Sequence, residues 1–319
     1  MRRLALLALS LCPCAIAFAD DPPPVEMGAL VRGFALPALG RTEVLPSGGL
    51  KLRLYLNDTN EYTAHANDSE AIILDGEVTQ LSYDLHYGIT DHWEAGLFVP
   101  VLSQGGGVLD TVIQGWHRLW GLPNGGREDV PKNAYQYQYT LNGQQLLNVN
   151  QGSVTFGDIR LSTGYQIADH LVARAMLQLP TGDASHLSGN GAFGGAAWLD
   201  GGLPLGGYFS RLTLYGSAGY SYTGSGDVLP GMQEHGLPFG SVGMGLRITP
   251  NWDARLQVYV HAAPYKNSQL AALDHIAAPL TVSTSYRISR ITSITLGFQE
   301  KASVAASPDF GVFMGVSLN

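Results

Sequence analysis

Seven arginines occupy the positions of this chain where side-chain type and spacing best suggest chemistry. Each lies among apolar residues that alternate along the sequence, so the arginine falls on the opposite face of an extended strand. A guanidinium group binds a carboxylate or another planar anion through paired hydrogen bonds. Four acidic residues share the arginine face, which therefore carries Arg53, Arg160, Arg174, Arg211, Arg247, Arg255 and Arg287 together with Asp84, Glu94, Asp158 and Asp253.

Two interpretations of this polar face remain open. In a narrow interior, guanidinium and carboxylate groups can simply satisfy one another. In a wider interior, the arginines can line a path for polar or anionic solutes, as rings of charge do in selective pores. The seven arginines, with Asp84, Glu94 and Asp253, are therefore our candidate pore-lining residues.

Motifs for catalysis, or for binding a cofactor or metal, are missing or fail their structural test. Residues 189–194 spell G-x-G-x-x-G, but no helix follows them and no βαβ unit surrounds them. No nucleophile elbow, HExxH, P-loop or EF-hand spacing occurs. The nine histidines are scattered, and His86 and His261 are predicted to face the interior singly. We expect no catalytic residue, no cofactor and no metal site, and hence a protein that is not an enzyme.

The elements that must position these side chains are strands. About twelve segments alternate apolar and polar residues with period two, from 50–56 near the start to 310–318 at the end. Only 14% of the residues are charged, while 40 are glycine and 15 are tyrosine, which favours strands and turns over helices. No apolar stretch is long enough for a membrane-spanning helix.

Three observations place these strands in a membrane. They run to about ten residues, the length that a tilted strand needs to cross a bilayer. Their connections alternate between short and long, and the long ones span 58–70, 103–152, 181–191, 223–235 and 263–275. Aromatic residues of the apolar face collect beside the short turns, as an interfacial girdle requires: Tyr87, Trp93, Tyr165, Trp252 and Tyr286.

The sequence therefore predicts an all-β protein, a transmembrane antiparallel β-barrel of about twelve strands with short periplasmic turns and long extracellular loops. Closure follows because an unpaired backbone amide in hydrocarbon costs several kcal/mol. A secreted β-sandwich, which also alternates, is the alternative fold.

The sequence also predicts how the chain is divided into a signal peptide, an N-terminal segment and the barrel. Residues 1–19 have the basic start, apolar centre and small-residue cleavage site of a secretory signal peptide, and they hold both cysteines. Residues 20–47 are too apolar for a free tail and form either a plug in the lumen or a strap across the periplasmic mouth. Residues 48–319 form the barrel. In the extracellular loop 103–152, residues 108–120 form a helix that constricts the pore or lies on the outer leaflet, and 135–139 with 146–149 form a hairpin.

A series of short motifs runs through the chain: 73–77, 87–90, 109–110 with 116–117, 121–127, 156–158 and 179–183, the last reading Leu-Pro-Thr-Gly-Asp. Together they resemble a proteobacterial outer-membrane family catalogued as domain of unknown function 3187. The similarity extends from about residue 28 to the end of the chain. The resemblance implies an outer-membrane location and a barrel, and it implies no activity and no site residues.

Three functions fit these observations. The leading hypothesis is a monomeric barrel in the outer membrane of a Gram-negative bacterium that acts as a passive channel or uptake pore for a small, unidentified solute. The alternatives are a barrel-type lipid-modifying enzyme and a structural or adhesin barrel. Expected partners are outer-membrane lipids, lipopolysaccharide and, during biogenesis, the barrel assembly machinery. The net charge of −8 argues against a nucleic-acid partner.

Overall fold

A computed structural model describes residues 28–121, 131–301 and 308–319, so the predicted signal peptide lies outside the described residues. The strands are β1 (Leu50–Ala66), β2 (Glu70–Thr90), β3 (Trp93–Gly105), β4 (Gln136–Leu141), β5 (Gln144–Val149), β6 (Ser153–Phe156), β7 (Arg160–Ala168), β8 (Leu171–Gln178), β9 (Gly194–Pro204), β10 (Leu212–Thr223), β11 (Gly236–Thr249), β12 (Trp252–His261), β13 (Pro279–Arg287), β14 (Thr292–Lys301) and β15 (Phe310–Leu318). Two helices accompany them, α1 (Leu109–Trp120) and α2 (Ala271–Asp274).

Twelve of these strands close into an antiparallel barrel. The order around the wall is β1-β2-β3-β7-β8-β9-β10-β11-β12-β13-β14-β15, and β15 pairs with β1 from Leu52–Leu318 to Asn60–Phe310. Every strand of the wall therefore has two neighbours, the arrangement that a hydrocarbon environment requires. The predicted transmembrane barrel of about twelve strands is confirmed. No helix in the described part of the chain is both long and apolar enough to cross a membrane.

The two ends of the barrel differ. At one end, called the turn end, the strands are joined by 91–92, 169–170, 205–211, 250–251 and 288–291, and β1 begins and β15 finishes there. At the other, called the loop end, the connections 106–152, 179–193, 224–235 and 262–278 are longer. This matches the short and long connections of outer-membrane barrels.

The predicted long connection 58–70 is wrong. Strand β1 continues to Ala66 and β2 begins at Glu70, joined by a tight turn in which Asn67 Oδ1 accepts the amide protons of Ser69 and Glu70. The hairpin β4–β5 pairs with the upper part of β2 and extends the sheet beyond the barrel. Polar residues on both faces suggested a loop, but above the membrane a strand has no lipid face and need not alternate.

Helix α1 begins where its first amides are held by the barrel. The Glu77 carboxylate accepts the backbone N–H groups of Val108 and Leu109, at 2.9 and 2.6 Å. Asp110, in the first turn, accepts from the Asn60 side chain and from the Asn133 amide. Glu77 thus satisfies amides that a helix N-terminus leaves without partners, and Asp110 ties the first turn to β1 through Asn60, so the start of α1 is fixed to the loop end.

Outward-facing aromatics ring the turn end. Tyr87, Trp93, Tyr165, Trp252 and Tyr286 are each 42–57% exposed. Two of the positions repeat one local arrangement: the Trp93 indole N–H donates to Thr163 Oγ1 at 2.6 Å, and that of Trp252 donates to Thr284 Oγ1. In both places the threonine hydroxyl donates to the carbonyl of the acidic residue that follows the tryptophan. Each indole thus has its polar atom satisfied by the neighbouring strand, as suits a ring at headgroup level.

Candidate functional site: the occupied lumen

Residues 28–49, called the lumen segment, run through the inside of the barrel from one end to the other. At the turn end, the amide of Gly48 donates to Gly88 O and that of Gly88 donates to Gly49 O. Midway, the amide of Gly40 donates to Asp200 Oδ1 at 2.8 Å. At the loop end, the amide of Ala29 donates to the Glu61 carboxylate. The wall residues on this path belong to strands on different sides of the barrel, so the segment passes through its interior.

The loop-end half of the lumen segment is held by apolar packing. Phe34 is 1% exposed, and its ring meets the edge of the Tyr265 ring with 5.4 Å between centroids. The Tyr265 hydroxyl donates to Leu30 O at 2.7 Å. The same cluster joins the lumen segment to β2, β4, β11 and the connections 224–235 and 262–278: Ala29, Leu30, Val31, Leu36, Leu39, Ile72, Leu74, Tyr137, Tyr139, Val228, Leu229, Met232, Leu237, Leu270 and Leu273. This cluster, called the loop-end cap, closes the interior around the segment.

Arg174 of β8 attaches the turn-end half of the lumen segment to the barrel wall. Its guanidinium bonds the carboxylates of Asp200 and Glu94 on either side. The same group donates to two carbonyls of the lumen segment, Arg41 O at 3.1 Å and Glu43 O at 3.0 Å. An arginine can do this because its five N–H groups are fixed in one plane. The side chain is 5% exposed, so these bonds are shielded from water.

Glu94 of β3 also joins the barrel wall to the lumen segment. Its carboxylate accepts the amide proton of Leu45 at 2.9 Å and bonds the Arg41 guanidinium, with a closest approach of 2.9 Å. It also bonds Arg174, and it is only 1% exposed. One buried carboxylate thus serves two guanidinium groups and one backbone amide. Such a group is stable only while its partners stay in place.

His86 extends this network to β1. Its Nδ1 lies 2.9 Å from Arg41 Nη1, which can only donate, and its Nε2 lies 2.9 Å from Asp84 Oδ1. These contacts fit the neutral imidazole that carries its proton on Nε2. Asp84 in turn bonds Arg53. The chain of contacts therefore runs from the lumen segment through His86 and Asp84 to the wall.

Other inward side chains bind the backbone of the lumen segment directly. Gln178 Nε2 donates to Gly33 O at 2.7 Å, and Arg160 Nη1 donates to Leu36 O at 3.0 Å. Gln166 Oε1 accepts the amide proton of Val44 at 2.9 Å. An irregular segment forms no ladder of its own, so its buried amides and carbonyls need such partners.

The remaining predicted pore-lining residues lie away from the segment. Asp253 is buried, with its Oδ1 3.7 Å from Arg247 Nε, and the Arg255 guanidinium lies 6.0 Å from the Tyr215 ring centroid. Arg287 is half-buried at the last position of β13. Arg211 precedes β10 and is exposed, donating to Ile248 O. For Arg211 the expected inward position is not observed, since the residue belongs to a turn where strand parity no longer applies.

Sequence reasoning missed Arg32 and Arg41 of the lumen segment and Asp200 of β9. The segment has no strand period, so no parity rule could orient its arginines. Asp200 did carry a signal: it stands two residues after Trp198, on the face that Ala196 and Trp198 share, and Trp198 Nε1 donates to it at 2.9 Å. Within the described residues, no three His, Cys, Asp or Glu side chains are grouped so as to hold a metal ion.

A cavity remains between the lumen segment and the walls of β1–β3 and β7–β9. It offers about 100 Å³ of space to the centres of water-sized molecules. Five arginines line it, three from the wall and two from the segment, against two carboxylates. Its lining includes Arg32, Arg41, Arg53, Arg160, Arg174, Asp84, Asp158, Leu36, Pro37, Phe98, Pro100, Gly157, Met176, Ser188 and Trp198.

Comparisons with known proteins agree with this architecture. Residues 15–319 match the model of the family described as "Protein of unknown function (DUF3187)". Among solved structures, the COG4313 outer membrane channel from Pseudomonas putida F1 is similar, with 13% identity over 89% of this chain and 99% of that one and a TM-score of 0.59. The toluene transporter TbuX from Ralstonia pickettii gives 12% identity over 92% and 98%, with a TM-score of 0.41. At 13% identity, the likeness to the COG4313 channel shows a shared outer-membrane barrel fold. No curated protein sequence matches the chain.

Proposed function

Since the chain belongs to the DUF3187 family, whose function is unknown, we propose from its geometry that it is an outer-membrane channel for a small solute, constricted by its own lumen segment. The observation that carries the proposal is the arginine-lined cavity beside residues 28–49. In this proposal the outward apolar face contacts outer-membrane lipid and lipopolysaccharide, and one chain forms the complete pore.

The size of the barrel supports a constricted pore rather than a solid core. Strands about 4.8 Å apart and tilted by about 40° give twelve strands a backbone radius of about 12 Å. Eight strands already enclose an interior that side chains can fill, so twelve leave additional space. The lumen segment occupies part of this space, and the cavity shows that it does not occupy all of it.

The chemistry of the interior also supports passage of a polar solute. Buried wall positions on β12–β15 carry small hydroxyl or amide side chains, including Gln257, Thr281, Ser283, Ser285 and Thr295. A barrel that served only as a scaffold would gain stability from apolar residues there. Polar residues around a lumen are instead the usual lining of a solute path.

Conductance of the refolded full-length protein in a planar bilayer tests the proposal. We expect a small conductance in the wild type and a larger one when Arg160 and Arg174 are replaced together by glutamine, because both hold the lumen segment. The heat-dependent shift in gel mobility reports whether each barrel has folded. Correctly folded wild-type and variant barrels that both lack conductance and both fail to admit solute into liposomes would refute the channel.

A further inference from the structure

The charges at the turn end are divided between two sides of the barrel. The turns that join β9 to β10, β11 to β12 and β13 to β14 lie side by side around the wall. In or beside these turns are four arginines, called the basic sector: Arg211, Arg247, Arg287 and Arg290. On the other side are three exposed carboxylates in the turns 91–92 and 169–170 and in the lumen segment, called the acidic sector: Asp91, Asp169 and Glu43. An anion that approaches the turn end is therefore attracted to one side only.

Three arginines of the basic sector have no carboxylate partner among the described residues. Arg211 is exposed, and its Nη1 donates to Ile248 O at 3.4 Å. Arg290 is exposed and Arg287 is half-buried, and within the described part of the chain neither forms an ion pair or a hydrogen bond through its side chain. Unlike the arginines that hold the lumen segment, these three keep hydrogen-bond donors for an anion from outside the protein.

The basic sector lies at the level of the lipid phosphates. Trp252 and Tyr286, two of the girdle residues, are directly paired across β12 and β13. Arg287 follows Tyr286, and its amide donates to Asn251 O in the neighbouring turn at 2.8 Å. The girdle marks the boundary of the hydrocarbon, and the headgroup region extends about 5–7 Å beyond it. One or two residues along a tilted strand cover about 3–5 Å, so a side chain just beyond the girdle reaches the phosphates.

Exposed apolar side chains accompany the arginines of the basic sector. Ile288 and Ile291 flank Arg290, and Tyr208 and Phe209 lie in the turn before β10; all four apolar side chains are exposed. Such exposure is unfavourable in water, whereas a headgroup region accommodates apolar groups beside an arginine, whose own stem is apolar. Apolar groups next to cations without carboxylate partners therefore favour a lipid surface over a soluble partner at this end of the barrel.

We infer that the basic sector is a docking surface for anionic phospholipids of the periplasmic leaflet, whose phosphates accept hydrogen bonds from Arg211, Arg287 and Arg290. A guanidinium binds two phosphate oxygens through parallel hydrogen bonds. The acidic sector repels the same lipids, so they gather on one side of the barrel. The inference goes beyond the proposed function, because it holds whether or not the barrel conducts.

Fluorescence quenching of one tryptophan beside each sector tests the docking surface. Trp252 lies in the basic sector and Trp93 in the acidic one, and each indole donates to a threonine of the adjacent strand, so their local packing is matched. Two proteins each keep one of these tryptophans, with the other four replaced by phenylalanine. They are reconstituted in phosphatidylcholine vesicles that contain a minor amount of brominated phosphatidylglycerol or brominated phosphatidylcholine. We expect brominated phosphatidylglycerol to quench Trp252 more strongly than brominated phosphatidylcholine does, with no such preference at Trp93.

Two sets of substitutions assign the preference to the arginines. Arg287→Gln with Arg290→Gln is expected to lower the binding of phosphatidylglycerol relative to phosphatidylcholine at Trp252 by about fivefold for each arginine, which corresponds to about 1 kcal/mol each. Arg118→Gln is the matched control, because Arg118 is an exposed arginine of α1, whose start is fixed to the loop end. It is expected to leave the preference unchanged. The heat-dependent shift in gel mobility reports whether each variant has folded.

Each contrary outcome overturns a stated part of the inference. Equal quenching of Trp252 by the two lipids, or a preference that survives the double substitution, overturns the docking surface. An equal preference at Trp93 shows a general attraction of the barrel for anionic lipid and overturns the division into sectors. Loss of the preference in phosphate buffer, but not in sodium chloride of equal ionic strength, shows a site for free phosphate and overturns the lipid.

Discussion

Replacing Glu94 with glutamine is expected to release the lumen segment from the barrel wall. The substitution keeps the shape of the side chain and removes the charge that serves Arg41 and Arg174. Removing one partner of a buried ion pair costs about 3–5 kcal/mol. Arg174 keeps Asp200, so most of the loss falls on Arg41, and we take the lower value, about 3 kcal/mol. At about 1.4 kcal/mol per tenfold change, the displaced fraction of the segment rises about 100-fold.

The rate at which a cysteine of the lumen segment reacts reports that fraction. Ala38 lies in the segment, lines the cavity and is half-buried, and we expect an Ala38→Cys variant to react with a bulky maleimide faster when the segment is displaced. Asp253→Asn is the control, because Asp253 is a buried inward carboxylate of β12 that pairs with Arg247 of the neighbouring strand β11. An unchanged labelling rate in Glu94→Gln, or an equal rise in Asp253→Asn, would refute the reasoning.

Three further predictions concern single attachments. Gly88→Ala should raise the same labelling rate, because its Cβ would stand 2.0 Å from a carbonyl of the lumen segment, whereas Gly105→Ala, with nothing within 4 Å, should not. Phe34→Ala should lower the stability of the loop-end cap by about 3–5 kcal/mol, measured by hydrogen exchange of the cap amides, and an unchanged exchange rate would contradict the assigned packing. Hydrogen bonds from Ser185 and then His186 lower the pKa of Asp183 below its ordinary 3.8. These bonds stabilise the loop 179–193 at every pH above 3.8, and the stabilisation is lost as the pH falls through the lowered pKa of Asp183. Proteolysis of the loop should therefore accelerate in strong acid, and Asp183→Asn should show no such acceleration.

The wall of the barrel was predictable because strand parity has a direct physical meaning. In a strand that separates lipid from an interior, each residue faces one or the other, so the sequence 50–56 alone orients Arg53. Arg53, Arg174, Asp84, Glu94 and Asp253 are all buried, as that rule requires. The rule stops where the strand stops, and Arg211 shows this, since it lies one residue before β10.

The path of the lumen segment could not be predicted, for a different physical reason. Residues 28–49 form neither helix nor strand up to Gly49, and their amides and carbonyls find partners on remote strands, such as Gln178 for Gly33 and Asp200 for Gly40. Those contacts depend on barrel closure, which no local pattern encodes. The apolar character of the segment indicated only that it is buried; the choice between a plug and a strap needed the three-dimensional contacts.

The two halves of the lumen segment are held by different forces, and this limits how the pore can open. Near Phe34 the segment is fixed by apolar burial, which is non-directional and roughly proportional to the area removed from water. Near Arg41 it is fixed by buried charge contacts that are strong only while complete, because a guanidinium or carboxylate left alone in the interior is penalised. The turn-end half therefore has two states, bound or released, with few stable positions between them. In the proposed channel, we therefore expect the segment to be released first at the turn end, with the loop-end cap still in place.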